Sequence, residues 1–330
     1  MTAVAGRPPG GRRVVVLGGT GFLGRHVTAG FAGLGDRVVV VARRPDVRSA
    51  HRTVPVDLVT AHPGVLAELL DVEQPDVLVD TTGSSWGLAE AEMAGRCRQV
   101  SENVLSALAS SRCRPRMVHV GTMMEYGPPD GHGAPTPPRT AYGAAKLAAA
   151  RGVLAATTAG HVNGIVLRMT NLIGPGLPGN SLLGRVAAAL LPVLRDGGAA
   201  EVVLWPMRAR RDVLDVRDAV QAVLAATTCG AHGEVVDVGR GEAVPVRDLV
   251  ELLLEVSGVR ARVVEEEPDL PEWRAIVDLI RVDPGRAVRL LGWAPRYTPR
   301  EAVQSFWQAT VETAETGGRP PGADPSRCQR

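Results

Sequence analysis

The stretch 14–24, Val-Val-Val-Leu-Gly-Gly-Thr-Gly-Phe-Leu-Gly, limits the possible folds more than any other part of the chain. Residues 14–17 form an apolar run with no polar alternation. Such a run predicts a strand buried on both faces, as in a parallel sheet covered by helices. Glycines follow at 18, 21 and 24. In this spacing Gly18 allows a tight turn, Gly21 lets backbone approach a pyrophosphate, and Gly24 lets the next helix pack on the strand. That helix, predicted over 22–34, would aim its unpaired N–H groups and positive dipole end at the phosphates. A glycine-rich turn alone is only a turn. Between an apolar strand and a helix it predicts a dinucleotide site in an α/β, doubly wound parallel sheet, with Gly18, Thr20, Gly21, Phe22, Leu23 and Gly24 around the cofactor.

Composition removes several classes of function. A chain of 330 residues can bury a large core, and 45% hydrophobic with 22% charged residues is globular. A net charge of +2 gives no reason to expect nucleic acid or a membrane surface as partner. The best apolar run, 186–194, is too short for a membrane span and contains Pro192. The start, 1–13, lacks an apolar signal core, so a cytoplasmic protein is expected. Cys97, Cys113, Cys229 and Cys328 lack metal-ligand spacing and are expected as free thiols, and the seven His form no cluster, so no metal is expected. Almost every basic residue is Arg, the bias of a GC-rich genome, and Lys146 is the only lysine.

Further buried strands are predicted over 37–42, 54–58, 75–80, 117–120 and 165–168, with helices over 63–72 and 90–110. An NAD-specific site would place Asp or Glu at the end of the second strand, to accept from the ribose hydroxyl. Here Ala42 stands there, followed by Arg43 and Arg44, a fork suited to a 2′-phosphate; NADPH is therefore expected over NADH. Asp57 could reach the adenine edge, with Leu58 beside it. Thr81, Thr82 and Gly83, small residues after the fourth strand, would let the cofactor pass, with Ser84 and Ser85 reaching the substrate.

Tyr142 and Lys146 open an Ala-rich helix, and their spacing of four puts both side chains on one face. A lysine cation one turn away favours the phenolate, which fits a tyrosine that exchanges a proton with a carbonyl or carbinol. The job wants a compact point charge, which arginine does not supply. Thr122, at the end of the fifth strand, would hold the same oxygen.

These pieces resemble the extended short-chain dehydrogenase/reductase family, in its nucleotide-sugar epimerase/dehydratase/reductase branch. The matching segments are Gly18–Gly24, Asp57-Leu58, Asn103 in Glu-Asn-Val, Thr122 with Tyr126-Gly127, Tyr142 with Lys146, 167–171 with Gly174-Pro-Gly, 211–216 and 291–295. The resemblance implies Tyr142 as general acid/base, Lys146 as the ribose-binding lysine and Thr122 as the oxygen-orienting hydroxyl. It also implies Asn103 at the cofactor and Asn171 and Arg211 at a substrate diphosphate. It implies a Rossmann domain over 12–175, with 212–240 returning to it, a substrate domain over 176–211 and 241–316, and flexible tails over 1–11 and 317–330. A homodimer would pair through the 90–110 helix and the helix beginning near Tyr142.

Within that branch a dehydratase would carry Asp-Glu after the threonine, but this chain has Met123-Met124, and no thioether moves a proton. The two methionines would instead offer an apolar surface to a deoxygenated sugar. Arg43 and Arg44 disfavour a UDP-hexose 4-epimerase, which keeps NAD bound. The expected activity is NADPH-dependent reduction of a dTDP-4-keto-6-deoxyhexose at C4, late in making a deoxysugar for a natural product. The alternatives are the epimerase and an inactive NAD(P)-binding regulatory protein.

Overall fold

A computed structural model describes residues 11–44, 50–83, 88–127, 136–267 and 279–316. Ser84, Ser85, Cys328, both predicted tails beyond those limits and most of the loop after Gly127 lie outside the described residues. The first half of the chain runs β1 (Arg13–Leu17), α1 (Phe22–Gly33), β2 (Arg37–Ala42), β3 (Arg52–Pro55), α2 (Pro63–Glu73), β4 (Val77–Asp80), α3 (Glu90–Ser110) and β5 (Arg116–Thr122). After a single 3-10 turn, Met123–Glu125, come α4 (Ala141–Thr158), β6 (Asn163–Met169) and β7 (Asn171–Ile173). The second half runs α5 (Leu182–Asp196), β8 (Ala200–Leu204), β9 (Arg210–Asp215), α6 (Val216–Ala226), β10 (Glu234–Val238) and β11 (Ala243–Pro245). It closes with α7 (Val246–Ser257), β12 (Ala261–Glu265), β13 (Leu279–Ile280), α8 (Gly285–Leu291) and α9 (Pro299–Glu315).

Seven parallel strands form the main sheet in the order β10-β6-β5-β4-β1-β2-β3. The alternation within β1 explains the layering. Val14 and Val16 point into one core, shared with Phe31 of α1 and Ala219 and Val223 of α6. Val15 and Leu17 point into the other, shared with Leu70 of α2, Leu108 of α3 and Val153 of α4. Strand order reverses beside β1, which pairs with β2 on one side and β4 on the other. A ligand crevice is expected at the carboxyl ends of those strands.

The third strand differs from the expected 54–58. It ends at Pro55, because Asp57 turns the chain: its Oδ1 accepts the Val59 N–H at 3.0 Å and its carbonyl accepts from Ala61 at 2.8 Å. Asp57 thus sits in a turn beyond the strand.

A third core gathers Val186 and Leu190 of α5, Val250 and Leu253 of α7, and Phe306 of α9, around β9 and its neighbours. In that layer β9 pairs with β7, β11 and β13, while β8 pairs with β12. Ala287 and Trp293, inside the stretch expected to belong to the substrate domain, pack on the main sheet instead. The reason is polar as well as apolar: the Trp293 indole N–H donates to the Asp218 carbonyl of α6 at 2.9 Å.

His26 of α1 ties the sheet layer to the segment entering the third core, donating from Nε2 to the Pro175 carbonyl at 2.8 Å. A carbonyl only accepts, so Nε2 carries the proton. Burial lowers the His26 pKa below its ordinary value, outweighing the Pro175 bond. The unfolded chain therefore binds a proton at a pH where the folded one does not. This contribution to stability is whole above about pH 6.5 and is lost as pH falls. Urea midpoints at pH 7.5 and pH 5 are expected to separate more in the wild type than in His26→Gln; equal separation would refute this role.

Candidate active site

The glycine turn closes on itself. Gly18 takes φ +74°, donates its N–H to the Val41 carbonyl at 2.8 Å and accepts from Gly21 at 2.9 Å. A Cβ at Gly24 would lie 2.2 Å from the Gly18 carbonyl oxygen, so α1 can sit on the turn only with hydrogen at that position. Gly21 occupies the N-cap of α1 and no side chain caps the helix. Its first N–H groups are therefore directed at whatever lies in the crevice. Gly24→Ala is expected to cost about 1–3 kcal/mol in a denaturation curve and to weaken NADPH binding, because the turn must open; an unchanged NADPH affinity would count against a phosphate site here.

The crevice is lined by Gly18, Thr20 and Gly21 from this turn, Arg43 after β2, Asp57 and Leu58 after β3, and Thr81, Thr82 and Gly83 after β4. Lys146 closes its floor. Arg44 is exposed beside Arg43 and does not line it. Phe22 and Leu23 lie in the first turn of α1, where the Phe22 ring stands edge-on to His26 and Leu23 packs on the sheet core. Asn103 does not line the crevice. Its amide donates to the carbonyls of Leu58 at 2.8 Å and Ala61 at 3.3 Å and its oxygen accepts from Gln99, so it braces the turn that carries Asp57 and Leu58. Arg96, Cys97, Val100 and Ser101 of α3 form a wall that the sequence reading did not find. Their signal was present: 96/100 and 97/101 share a helical face.

This cradle suits a dinucleotide diphosphate. An uncapped helix start, a glycine turn that a Cβ would fill and Arg43 converge on one crevice, while the Arg96 guanidinium at its wall pairs with Glu92 one turn earlier on the same helix.

The Tyr142–Lys146 helix docks at the inner end of the crevice. Thr140 caps α4 by accepting the Gly143 N–H at 3.0 Å. Gly143 must be glycine, since a Cβ there would lie 2.1 Å from the Met124 carbonyl oxygen; α4 thus rests directly on the turn that follows Thr122. Lys146 is 4% exposed. Its ammonium donates to the carbonyls of Val120 at 2.8 Å and Thr82 at 3.2 Å. Two of its three protons are so placed. Tyr142 packs against Ala94, Cys97 and Ala145, and its hydroxyl lies 3.8 Å from where a Gly83 Cβ would stand.

Thr122 is fixed from both sides. Its N–H donates to the Glu125 carboxylate at 2.8 Å and its Oγ1 accepts from Met124 at 3.3 Å. The other Glu125 oxygen takes the Arg168 guanidinium at 2.7 Å. Arg168 in turn stacks 4.4 Å from the Tyr126 ring centre, and the Tyr126 hydroxyl donates to Asp237 at 2.9 Å. Met123 and Met124 are half-buried in this turn. Asn171 is exposed at the start of β7, two registers from Arg211 through its pairing with Val213 of β9; Arg211 is half-buried and donates to the Arg210 carbonyl.

Beneath Lys146 lies a buried charged group. Burial would raise the Asp80 pKa, but the His119 hydrogen bond, with Lys146 and Thr82, holds it at about 2. Burial raises the Cys97 thiol instead. No group of side chains among the described residues could hold a metal ion, and none of their helices is long and apolar enough to cross a membrane.

Residues 14–239 match the model of the NAD dependent epimerase/dehydratase family. The chain is 40% identical over 308 residues to a dTDP-6-deoxy-L-talose 4-dehydrogenase (NAD(P)(+)) of Kitasatospora kifunensis, covering 90% of this chain and 95% of that one. It is 25% identical to a GDP-6-deoxy-D-mannose reductase of Pseudomonas aeruginosa, over 91% and 98% of the two chains. Among solved structures it is similar to RMD from Pseudomonas aeruginosa complexed with NADPH, with a TM-score of 0.75 at 23% identity over 92% and 98% of the chains. A UDP-glucose 4-epimerase from Thermotoga maritima with UDP-glucose gives 0.78 at 22% over 92% and 99%; these two likenesses are of fold.

Proposed function

Because the chain belongs to the NAD dependent epimerase/dehydratase family, we propose that it is an NADPH-dependent nucleotide-sugar 4-ketoreductase acting on a dTDP-4-keto-6-deoxyhexose. The observation that carries the chemistry is the only lysine of the chain, buried and held by two carbonyls one turn after Tyr142. The 40% likeness to a dTDP-6-deoxy-L-talose 4-dehydrogenase supports dTDP and the 6-deoxy sugar. Ala42 in the crevice, where an NAD-specific site would carry an acid, and Arg43 directly after it support the 2′-phosphate.

NADPH, when bound, supplies the hydride. Tyr142 gives its phenolic proton to the oxygen that becomes the alcohol, and Lys146 keeps that transfer favourable through its charge. Thr122, whose Oγ1 already accepts from Met124, has its hydroxyl proton to donate to the same oxygen as negative charge grows there. Met123 and Met124 cannot act as acid or base, which supports reduction over loss of water from the ring. The half-buried Arg211 and the Asn171 amide carry the chemistry for the substrate diphosphate.

The test is NADPH oxidation at 340 nm, the band of the reduced nicotinamide, with dTDP-4-keto-6-deoxyglucose, and NADH as control. Consumption with NADPH supports the assignment. No consumption with either cofactor overturns the substrate, and release of tightly bound NAD on denaturing the purified protein would favour a 4-epimerase instead.

A further inference from the structure

Asp80 and His119 face each other across β4 and β5 in register, and both are 2% exposed. The His119 Nδ1 and the Asp80 Oδ2 are 2.8 Å apart. The Asp80 Oδ1 accepts the Thr82 N–H at 2.9 Å and the Thr82 hydroxyl at 2.5 Å. Both carboxylate oxygens are thus occupied, and neither is given to Lys146. Yet Thr82 and Val120, whose carbonyls hold the Lys146 ammonium, stand two residues after Asp80 and one residue after His119. The ammonium is within the electrostatic reach of the Asp80 carboxylate without touching it. Two further titratable groups adjoin this cluster: the Cys97 thiol of α3, which donates to the Gly83 carbonyl at 3.3 Å, and Tyr142, which packs on Cys97.

A buried ammonium held only by carbonyls pays heavily for leaving water unless an anion lies near. A direct ion pair would supply the anion, but it would take the third proton of Lys146 and cancel its field at Tyr142. The arrangement observed avoids both. His119 occupies one carboxylate oxygen and Thr82 the other, so the negative charge stays close and the third proton stays open. The histidine gives up a partner for this: with Nδ1–H donated to the carboxylate, its buried Nε2 has no hydrogen-bond partner among the described residues.

We propose that Asp80, held by His119 and Thr82, is the positioning residue and counter-charge that keeps Lys146 an ammonium with one proton open to the cofactor. This rests on the reading of Lys146 as part of the active site. His119 acts by keeping Asp80 off the ammonium.

The lone lysine makes the test direct. Protein grown with lysine labelled at ¹³Cε gives one side-chain lysine resonance, and its shift with pH reports protonation of Lys146 with no need of substrate or turnover. In Asp80→Asn the midpoint is expected to fall by about one pH unit, tenfold in the dissociation constant, and Asp80→Glu is expected to restore most of it. An unchanged midpoint in folded Asp80→Asn overturns the proposal and leaves Asp80 as a structural partner of Thr82. Should that variant not fold, His119→Gln answers with the opposite sign. Asp80 is then free to pair with Lys146, raising the midpoint and weakening NADPH binding by fluorescence titration, and an unchanged midpoint there also overturns the proposal. If the midpoints move as expected while no ketone is reduced by the wild type, the counter-charge stands and the substrate assignment falls.

Discussion

Tyr142→Phe is expected to lower kcat for ketone reduction by about 10²- to 10⁴-fold, the usual worth of a positioned general acid. The ring that remains keeps the packing of Tyr142 on Ala94, Cys97 and Ala145, so the fold is expected to survive. Lys146, the glycine turn and Arg43 are untouched, so the dissociation constant for NADPH is expected to stay within a few-fold. The split decides the role. A large fall in kcat with cofactor binding preserved marks a proton donor. Equal loss of both would make Tyr142 a packing residue, and full activity would remove it from the mechanism.

Glu125→Ala is expected to cost about 3–5 kcal/mol, as when one member of a buried pair is removed and its partner charge is stranded. Glu125 is 2% exposed and carries two loads, the Arg168 guanidinium and the Thr122 N–H. Arg168 would keep its contact with Tyr126 and the more distant charge of Asp237. Glu125→Gln retains an acceptor for the Thr122 N–H and nearly the same shape, so its loss is expected to be smaller in both stability and kcat. Urea denaturation of the two variants, read beside their kcat values, checks this. Equal stability of Glu125→Ala and wild type would mean that water takes over the role of the carboxylate.

The main sheet was legible because its strands are buried on both faces. Runs such as 14–17 and 37–42 have no alternation to hide them, and glycine spacing marked where the first one turns. The third strand was misplaced for a local reason. Val54 and Val56 have the right composition, but Asp57 uses its carboxylate to bend the backbone at Val59. The one-turn pairing of Tyr142 and Lys146 was legible because four residues is one helical turn, a distance that the chain itself enforces.

What the Asn103 amide holds was not legible in its motif. The residue stands where the resemblance puts it, yet its amide serves the Leu58–Ala61 turn, 42 to 45 residues away in sequence. Arg96 and Ser101 were missed because a helix has several faces, and only packing against the sheet selects the one that meets the crevice.

By itself the sequence determined the parallel α/β sheet, the glycine turn and the one-turn spacing of Tyr142 and Lys146. Each rests on neighbours along the chain, whose relative positions follow from backbone geometry. The tertiary structure alone decided what surrounds the pair. Asp80 meets His119 across 39 residues and Glu125 meets Arg168 across 43. Those contacts exist because strand register and burial bring the groups together where water cannot serve them, and no local pattern of residues encodes that.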